Sequence, residues 1–194
     1  LVKPVTKQQL ITVVARVLNR SVQLQQRFGQ RFGQNLTRLL QPELPPKIAG
    51  FETCLDYRAA SAGGGDLVFF SGSSDGGILI VADLMGHGEQ AKFYAHALAG
   101  YFRGLLSHLG SESSPAAILG QISNAMYEDK VLSSTLVTCL VLCIGPGQRL
   151  RMANGGHPAA VLIDGVDCRS VAVEGSLPGL TIDAVYQEIE WHLN

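Results

Sequence analysis

Residues 63–88 read Gly63-Gly64-Gly65-Asp66-Leu67-Val68-Phe69-Phe70-Ser71-Gly72-Ser73-Ser74-Asp75-Gly76-Gly77-Ile78-Leu79-Ile80-Val81-Ala82-Asp83-Leu84-Met85-Gly86-His87-Gly88. Two short apolar runs, 67–70 and 78–82, flank a stretch of Ser, Gly and Asp at 71–77, a pattern that predicts a β-hairpin. Asp66 stands at the head of the first run, directly after three glycines, and Asp83 ends the second. If the runs pair, both carboxylates reach the same end of a sheet. Hard divalent ions take such oxygen ligands from turns, with carbonyls and waters completing the shell. Glycine permits the sharp turns and close approaches this requires. Either aspartate alone reads equally well as a turn former or helix N-cap. Two Asp–Gly clusters bracketing one hairpin favour a metal site.

Outward from the hairpin the pattern continues in both directions. Residues 89–109 have helical spacing, with Phe93, Ala97, Tyr101 and Leu105 on one stripe. Ser114-Pro115 marks a second helix start, with proline at the first helical position, running to about 128. Strand-like runs follow at 136–144, 150–154, 160–163 and 170–173, and 184–193 alternates like one more. Upstream, 51–60 reads as a strand. Strands, then two helices, then strands predict an α+β fold of antiparallel sheet with helices on one face. It is not the alternation of a doubly wound fold.

Between Lys7 and Leu40 there is no proline. Ile11, Val14, Leu18, Phe28, Phe32 and Leu39 follow a heptad seam that Ser21, Gln25 and Asn35 interrupt. Gly29 and Gly33 each cost roughly 1 kcal/mol against alanine. A long N-terminal helix is therefore expected over 8–41, pairing with a second copy through residues 8–40 or lying along its own domain. Pro42, Pro45 and Pro46 close it. Residues 1–47 hold eight Lys/Arg and one acid, a net +7, while 48–194 hold seven bases and fifteen acids, a net −8. The arginines read as the solvated face of that helix. The acidic body and the lack of basic residues interleaved with aromatics argue against nucleic acid.

The chain has 194 residues, 46% hydrophobic and 16% charged, with a net charge of −1, which suits one domain or a domain plus an appendage. Its longest apolar run, 136–144, includes Thr138 and falls short of the ~20 residues a membrane span needs. With no signal-peptide layout and no starting Met, the expectation is a cytoplasmic fragment of a longer protein. Cys54, Cys139, Cys143 and Cys168 show no CxxC spacing, and Cys139 and Cys143 read as small buried hydrophobes. His87 and His157 each stand alone among glycines and read as hydrogen bonders that order loops. No serine-hydrolase elbow or nucleotide-binding glycine loop is present.

The series Leu39-Leu40-Gln41-Pro42, Gly63-Gly64-Gly65-Asp66, Asp83-Leu84-Met85-Gly86-His87-Gly88, Ser134-Thr135-Leu136, Asn154-Gly155-Gly156-His157-Pro158 and Leu177-Pro178-Gly179 resembles the SpoIIE branch of the metal-dependent (PPM, type 2C-like) serine/threonine phosphatases. The likeness spans about 39–194. It implies an α-β-β-α sandwich of antiparallel sheets flanked by helices, with Mn2+ or Mg2+ at its edge. Asp66, Asp83 and the backbone carbonyl of Leu84 would be ligands, and Gly64, Gly65, Gly86, His87 and Gly88 would shape the loops. A metal-bound water would attack phosphoserine or phosphothreonine. The implied substrate is a phosphorylated regulatory protein such as a STAS-type anti-sigma-factor antagonist, with a sigma factor as another candidate partner.

Leu1-Val2-Lys3-Pro4-Val5 resembles the end of a receiver domain. This implies a remnant at 1–7, a signalling helix at 8–41 and a phosphatase domain at 42–194, an RssB-type response-regulator architecture in stress signalling. Two departures matter. Many members carry a second acid where Phe69 stands, and the family's later Asp-Gly motif and final Asp lie beyond the equivalent of Asn194. The complete family site holds two ions, and this chain is expected to hold one or none. The competing expectation is a degenerate phosphatase-fold adaptor that binds a sigma factor or an anti-sigma antagonist.

Overall fold

A computed structural model describes residues 7, 8, 11, 14, 16, 20, 43–58, 65–164 and 166–192. The chain divides into two units, 1–39 and 40–194. In the first, the six described residues are helical and exposed, including the seam residues Ile11 and Val14. The rest of the expected helix and its pairing through residues 8–40 lie outside the described residues, as does Gly64.

The second unit is built on the hairpin. β3 (Asp66–Ser73) pairs antiparallel with β4 (Gly76–Leu84), after a small hairpin of β1 (Lys47–Ile48) and β2 (Phe51–Glu52). The ladder runs further than the apolar pattern suggests, through Gly72↔Gly77 and Ser73↔Gly76, leaving only Ser74-Asp75 to turn. A Gly/Ser stretch hides a strand from hydrophobic periodicity because there is little apolar surface to alternate. Two helices follow, α1 (Gly88–Leu106) and α2 (Pro115–Glu128), then β5 (Val137–Gly145), β6 (Arg149–Gly155), β7 (Ala160–Asp164), β8 (Asp167–Val171) and β9 (Glu188–His192). The main sheet has five strands in the order β3-β4-β5-β6-β9, each pair antiparallel.

Alternate residues of these strands face opposite ways. Leu67, Ile78, Ile80, Ala82, Leu84, Val137, Cys139, Val141, Cys143 and Ala153 pack with both helices in one continuous core. The outer face carries two smaller clusters. Ile144 and Leu150 pack with Ile48 and Phe51 of the first hairpin, and Leu140 and Met152 pack with Ala160 and Val171 of the β7–β8 hairpin. The fold is thus the expected α+β arrangement. Its second β layer is formed, among the described residues, by two short hairpins, and no described helix covers that layer.

Two local expectations change. Of the strand expected over 51–60, the described residues 51–58 form only Phe51–Glu52, and residues 59–60 lie outside the described ones. Thr53 N–H still bonds Pro46 O at 3.0 Å, but Pro45 and Pro46 have no N–H with which to continue the ladder. The Ala49-Gly50 turn, at φ 48° and 91°, was the unread signal for β1. On α1 the buried stripe is Ala91, Ala95, Leu98, Phe102 and Leu106, while Phe93 is exposed. Small alanines let the helix lie close to the sheet, so the large aromatic is turned outward. No helix among the described residues is long and apolar enough to cross a membrane.

Candidate active site

The site sits where β3 begins and β4 ends. Leu67, Ala82 and Leu84 point into the helix-side core, so Asp66 and Asp83 point to the opposite face. They are direct cross-strand partners, and Asp83 is in turn opposite Thr138 of β5. One row across three strands therefore reads Asp66, Asp83, Thr138.

A fourth residue joins from the loop after β6. Cys139 forms a bridge to Gly156, and Thr138 Oγ1 lies 2.7 Å from His157 Nδ1. The buried Asn154 holds this loop by its side chain alone: Nδ2 donates to His157 O at 2.8 Å, and Oδ1 accepts His157 N–H at 2.7 Å. The Leu177-Pro178-Gly179 segment backs it. A Cβ on Gly156, which has φ 71°, would lie 2.6 Å from Leu177 Cδ2, and one on Gly155 would lie 3.0 Å from Pro178 Cδ.

An open cleft of about 480 Å3 adjoins this row, with Asp56, Tyr57, Arg58, Asp66 and His157 in its walls. Arg58 is paired with Asp56 through Nε–Oδ1 at 3.2 Å and Nη2–Oδ2 at 3.0 Å. The Tyr57 hydroxyl donates to Asp66 O at 3.3 Å. Burial, then the charge of Asp83 and a carboxyl–carboxyl hydrogen bond with it, raise the Asp66 pKa above the ordinary aspartate value, against a smaller opposing effect of His157. Burial lowers the His157 pKa and outweighs the opposite pull of Asp83 and Asp66.

The glycines differ in what they do. Leu84 N–H bonds Gly65 O at 3.2 Å, and a Cβ on Gly65 would lie 2.5 Å from the Leu84 carbonyl oxygen. Gly86 and Gly88, at φ 110° and 78°, have open space around them and serve the turn. His87 is the N-cap residue of α1, exposed, with no side-chain cap bond, and it is not among the cleft-lining residues. Ser134, just before the apolar run, is tied to Val131 O at 2.6 Å and Tyr94 Oη at 2.8 Å, and among the described residues no base bonds it.

The donor set is all oxygen: two facing carboxylates with the Leu84 carbonyl next along the chain. That suits Mg2+ or Mn2+ better than a soft or borderline metal. Among the described residues no group of three or more His, Cys, Asp or Glu is arranged to hold a metal. These residues fit one ion that keeps several waters. Thr138, His157 and the Asn154 that holds it were missed, because Thr138 reaches the acid pair from the neighbouring strand and His157 from the loop after β6. A signal did exist, in the lone hydroxyl of Thr138 within an apolar run and the Gly-Gly-His turn after a strand.

A helix-backed antiparallel sheet of this kind is the fold of PP2C-type phosphatases. The chain is similar in fold to the SiaA PP2C domain of Pseudomonas aeruginosa, at 23% identity and TM-score 0.60, over 70% of this chain and 54% of that one. It is similar to the RsbU and RsbW domains of Rv1364c from Mycobacterium tuberculosis, at 20% and 0.55, over 70% and 37%. RsbX in complex with magnesium aligns at 16% and 0.52, over 68% and 61%. The chain thus spans less than two thirds of each of these structures. The family model described as Stage II sporulation protein E (SpoIIE) matches residues 73–194, and the chain belongs to that family. No curated protein matches it.

Proposed function

We propose that the chain is the catalytic part of a metal-dependent protein serine/threonine phosphatase acting on a phosphorylated regulatory protein, such as a STAS-type anti-sigma-factor antagonist. The observation that carries this reading is the Asp66↔Asp83 cross-strand pair beside the Leu84 carbonyl. Two carboxyl groups that hinder each other's ionisation when alone both ionise readily against a divalent cation. Asp66, Asp83 and the Leu84 carbonyl would hold Mn2+ or Mg2+, with Gly64, Gly65, Gly86 and Gly88 shaping the loops. Such an ion supplies an acidified water and positive charge beside the phosphoryl oxygens. The chain's own part is to fix the pair at the sheet end and to offer a cleft for the phosphoester. Membership of the SpoIIE family, and a magnesium-bound relative of the same fold, support it.

The receiver remnant at 1–7, the signalling helix at 8–41 and a homodimer through 8–40 extend this proposal to a cytoplasmic response regulator. A monomer at tens of micromolar by sedimentation would count against the dimer. A second reading, a degenerate adaptor for a sigma factor or anti-sigma antagonist, is favoured by the absence of a third acid beside the pair among the described residues. Calorimetric Mn2+ titration with an Asp83→Asn control separates the two. Binding that Asp83→Asn abolishes, together with Mn2+-dependent phosphate release from phosphoserine peptides, supports the enzyme. No binding supports the adaptor.

A further inference from the structure

Under the phosphatase reading, on which the role of His157 rests, the cleft beside Asp66 must admit a phosphate dianion. Its walls already carry Asp56 and Asp66, so an incoming phosphoryl group needs hydrogen-bond donors there. Among the described cleft residues Arg58 and Tyr57 are the other donors. Arg58 is held by Asp56 through two bonds, and the Tyr57 hydroxyl is given to the Asp66 carbonyl. Arg58 keeps further N–H groups but is 86% exposed, whereas the His157 ring is the donor that the fold fixes in place.

Its fixation is specific. Asn154, only 3% exposed, spends both ends of its amide on the His157 main chain. Gly155 and Gly156 let that loop close against Pro178 and Leu177. The Thr138 hydroxyl meets Nδ1 at 2.7 Å. When Thr138 donates to Nδ1, the ring proton of a neutral imidazole resides on Nε2. No described residue bonds Nε2. A buried amide, a strand hydroxyl and a glycine turn therefore all serve to hold one imidazole at the wall that Asp66 shares.

We propose that His157 Nε2–H donates a hydrogen bond to a non-bridging phosphoryl oxygen of the substrate, with Thr138 and Asn154 as positioning residues. His87, exposed at the start of α1, does not take this part.

The test uses inorganic phosphate as probe on the full chain with Mg2+. Long-range 1H–15N spectra of the histidine rings should show His157 as the Nε2–H tautomer, and phosphate should shift its Nε2 resonance far more than Nδ1. By calorimetry, His157→Ala should weaken phosphate binding about tenfold or more, the range expected for a lost hydrogen bond to a charged group. His157→Gln, which keeps an N–H donor, should recover most of it, and Thr138→Val should weaken it a few-fold. Unchanged phosphate affinity in a folded His157→Ala protein overturns the proposal. So does a shift confined to His87, or no phosphate binding by the wild type. If His157→Ala fails to fold, the wild-type spectra decide. A chain that binds phosphate through His157 yet hydrolyses no phosphoester with Mn2+ keeps the His157–phosphate contact, and it is the phosphatase reading that falls.

Discussion

Asn154 and His157 form a closed ring in which one side-chain amide satisfies both the N–H and the C=O of the same residue three positions on, at 2.7 and 2.8 Å. Because Asn154 is buried, water cannot easily replace it. Asn154→Leu should destabilise the protein by about 2 kcal/mol, the cost of leaving buried polar groups unpaired. Asn154→Asp keeps the acceptor and should cost less. Urea denaturation of both variants checks the order, and equal losses would mean that the amide oxygen, which Asn154→Asp retains, contributes nothing.

Two glycines of the site should respond to alanine for different reasons. Gly65→Ala puts a Cβ 2.5 Å from the Leu84 carbonyl oxygen, a backbone atom with little room to yield. A loss of about 1–3 kcal/mol is expected from overpacking, together with a fall in Mn2+ affinity. Gly86→Ala meets open space, and only its φ of 110° is unfavourable. It should cost about 1 kcal/mol and leave the acid pair in place. Denaturation curves paired with Mn2+ calorimetry separate these outcomes, and retained Mn2+ affinity in Gly65→Ala would place the Leu84 carbonyl outside the site.

Asp66 carries a pH prediction of definite sign. Its pKa is higher in the folded protein than the ordinary 3.8, so the folded state keeps a proton that the unfolded chain releases. The stability this group contributes is present at low pH and is lost as pH rises through the folded-state value. At pH 7 the ionised pair is a net cost to the metal-free protein. Asp66→Asn should raise its melting temperature at pH 7, with the gain disappearing near pH 3, while abolishing Mn2+ binding. For the wild type, Mn2+ affinity should fall as pH drops towards the raised value, because protons compete for the same oxygens. A lower melting temperature for Asp66→Asn at pH 7 would contradict this.

The four thiols should split into two classes. Burial pushes Cys139 up to about 12 and Cys143 up to about 11, so neither forms thiolate near neutral pH. Cys54 and Cys168 are exposed. A chromogenic disulfide reagent should titrate two thiols in the native protein and four after denaturation. Fast reaction at Cys139 would show that β5 opens locally.

Most elements were legible from local pattern. The apolar runs of β4 and β5 have enough surface to declare themselves, and Ser114-Pro115 announces α2, where Ser114 Oγ indeed accepts Ala117 N–H at 3.1 Å. The facing of Asp66 and Asp83 followed from the hairpin, since both lie on one local pairing. What failed was local pattern with competing causes. The strand expected at 51–60 stops where Pro45 and Pro46 offer it no donors. The stripe read through Phe93, Ala97, Tyr101 and Leu105 is not the one that meets the sheet, because the close approach is made by Ala95 and Ala99, which share the core with Ile80 and Val141.

Local chemistry was therefore sufficient for the α+β class, the hairpin and its two aspartates, because turn glycines and alternating apolar residues act over a few positions. The remainder of the site required the folded chain. Thr138 is 55 residues from Asp83, and His157 a further 19 along. The hydroxyl in an apolar run and the Gly-Gly-His turn mark both residues as unusual, but neither neighbourhood says which residues they meet. They meet because β5 lies beside β4 and β6 beside β5, so strand order and register across the sheet, rather than any short-range preference, bring hydroxyl, imidazole and carboxylates to one edge.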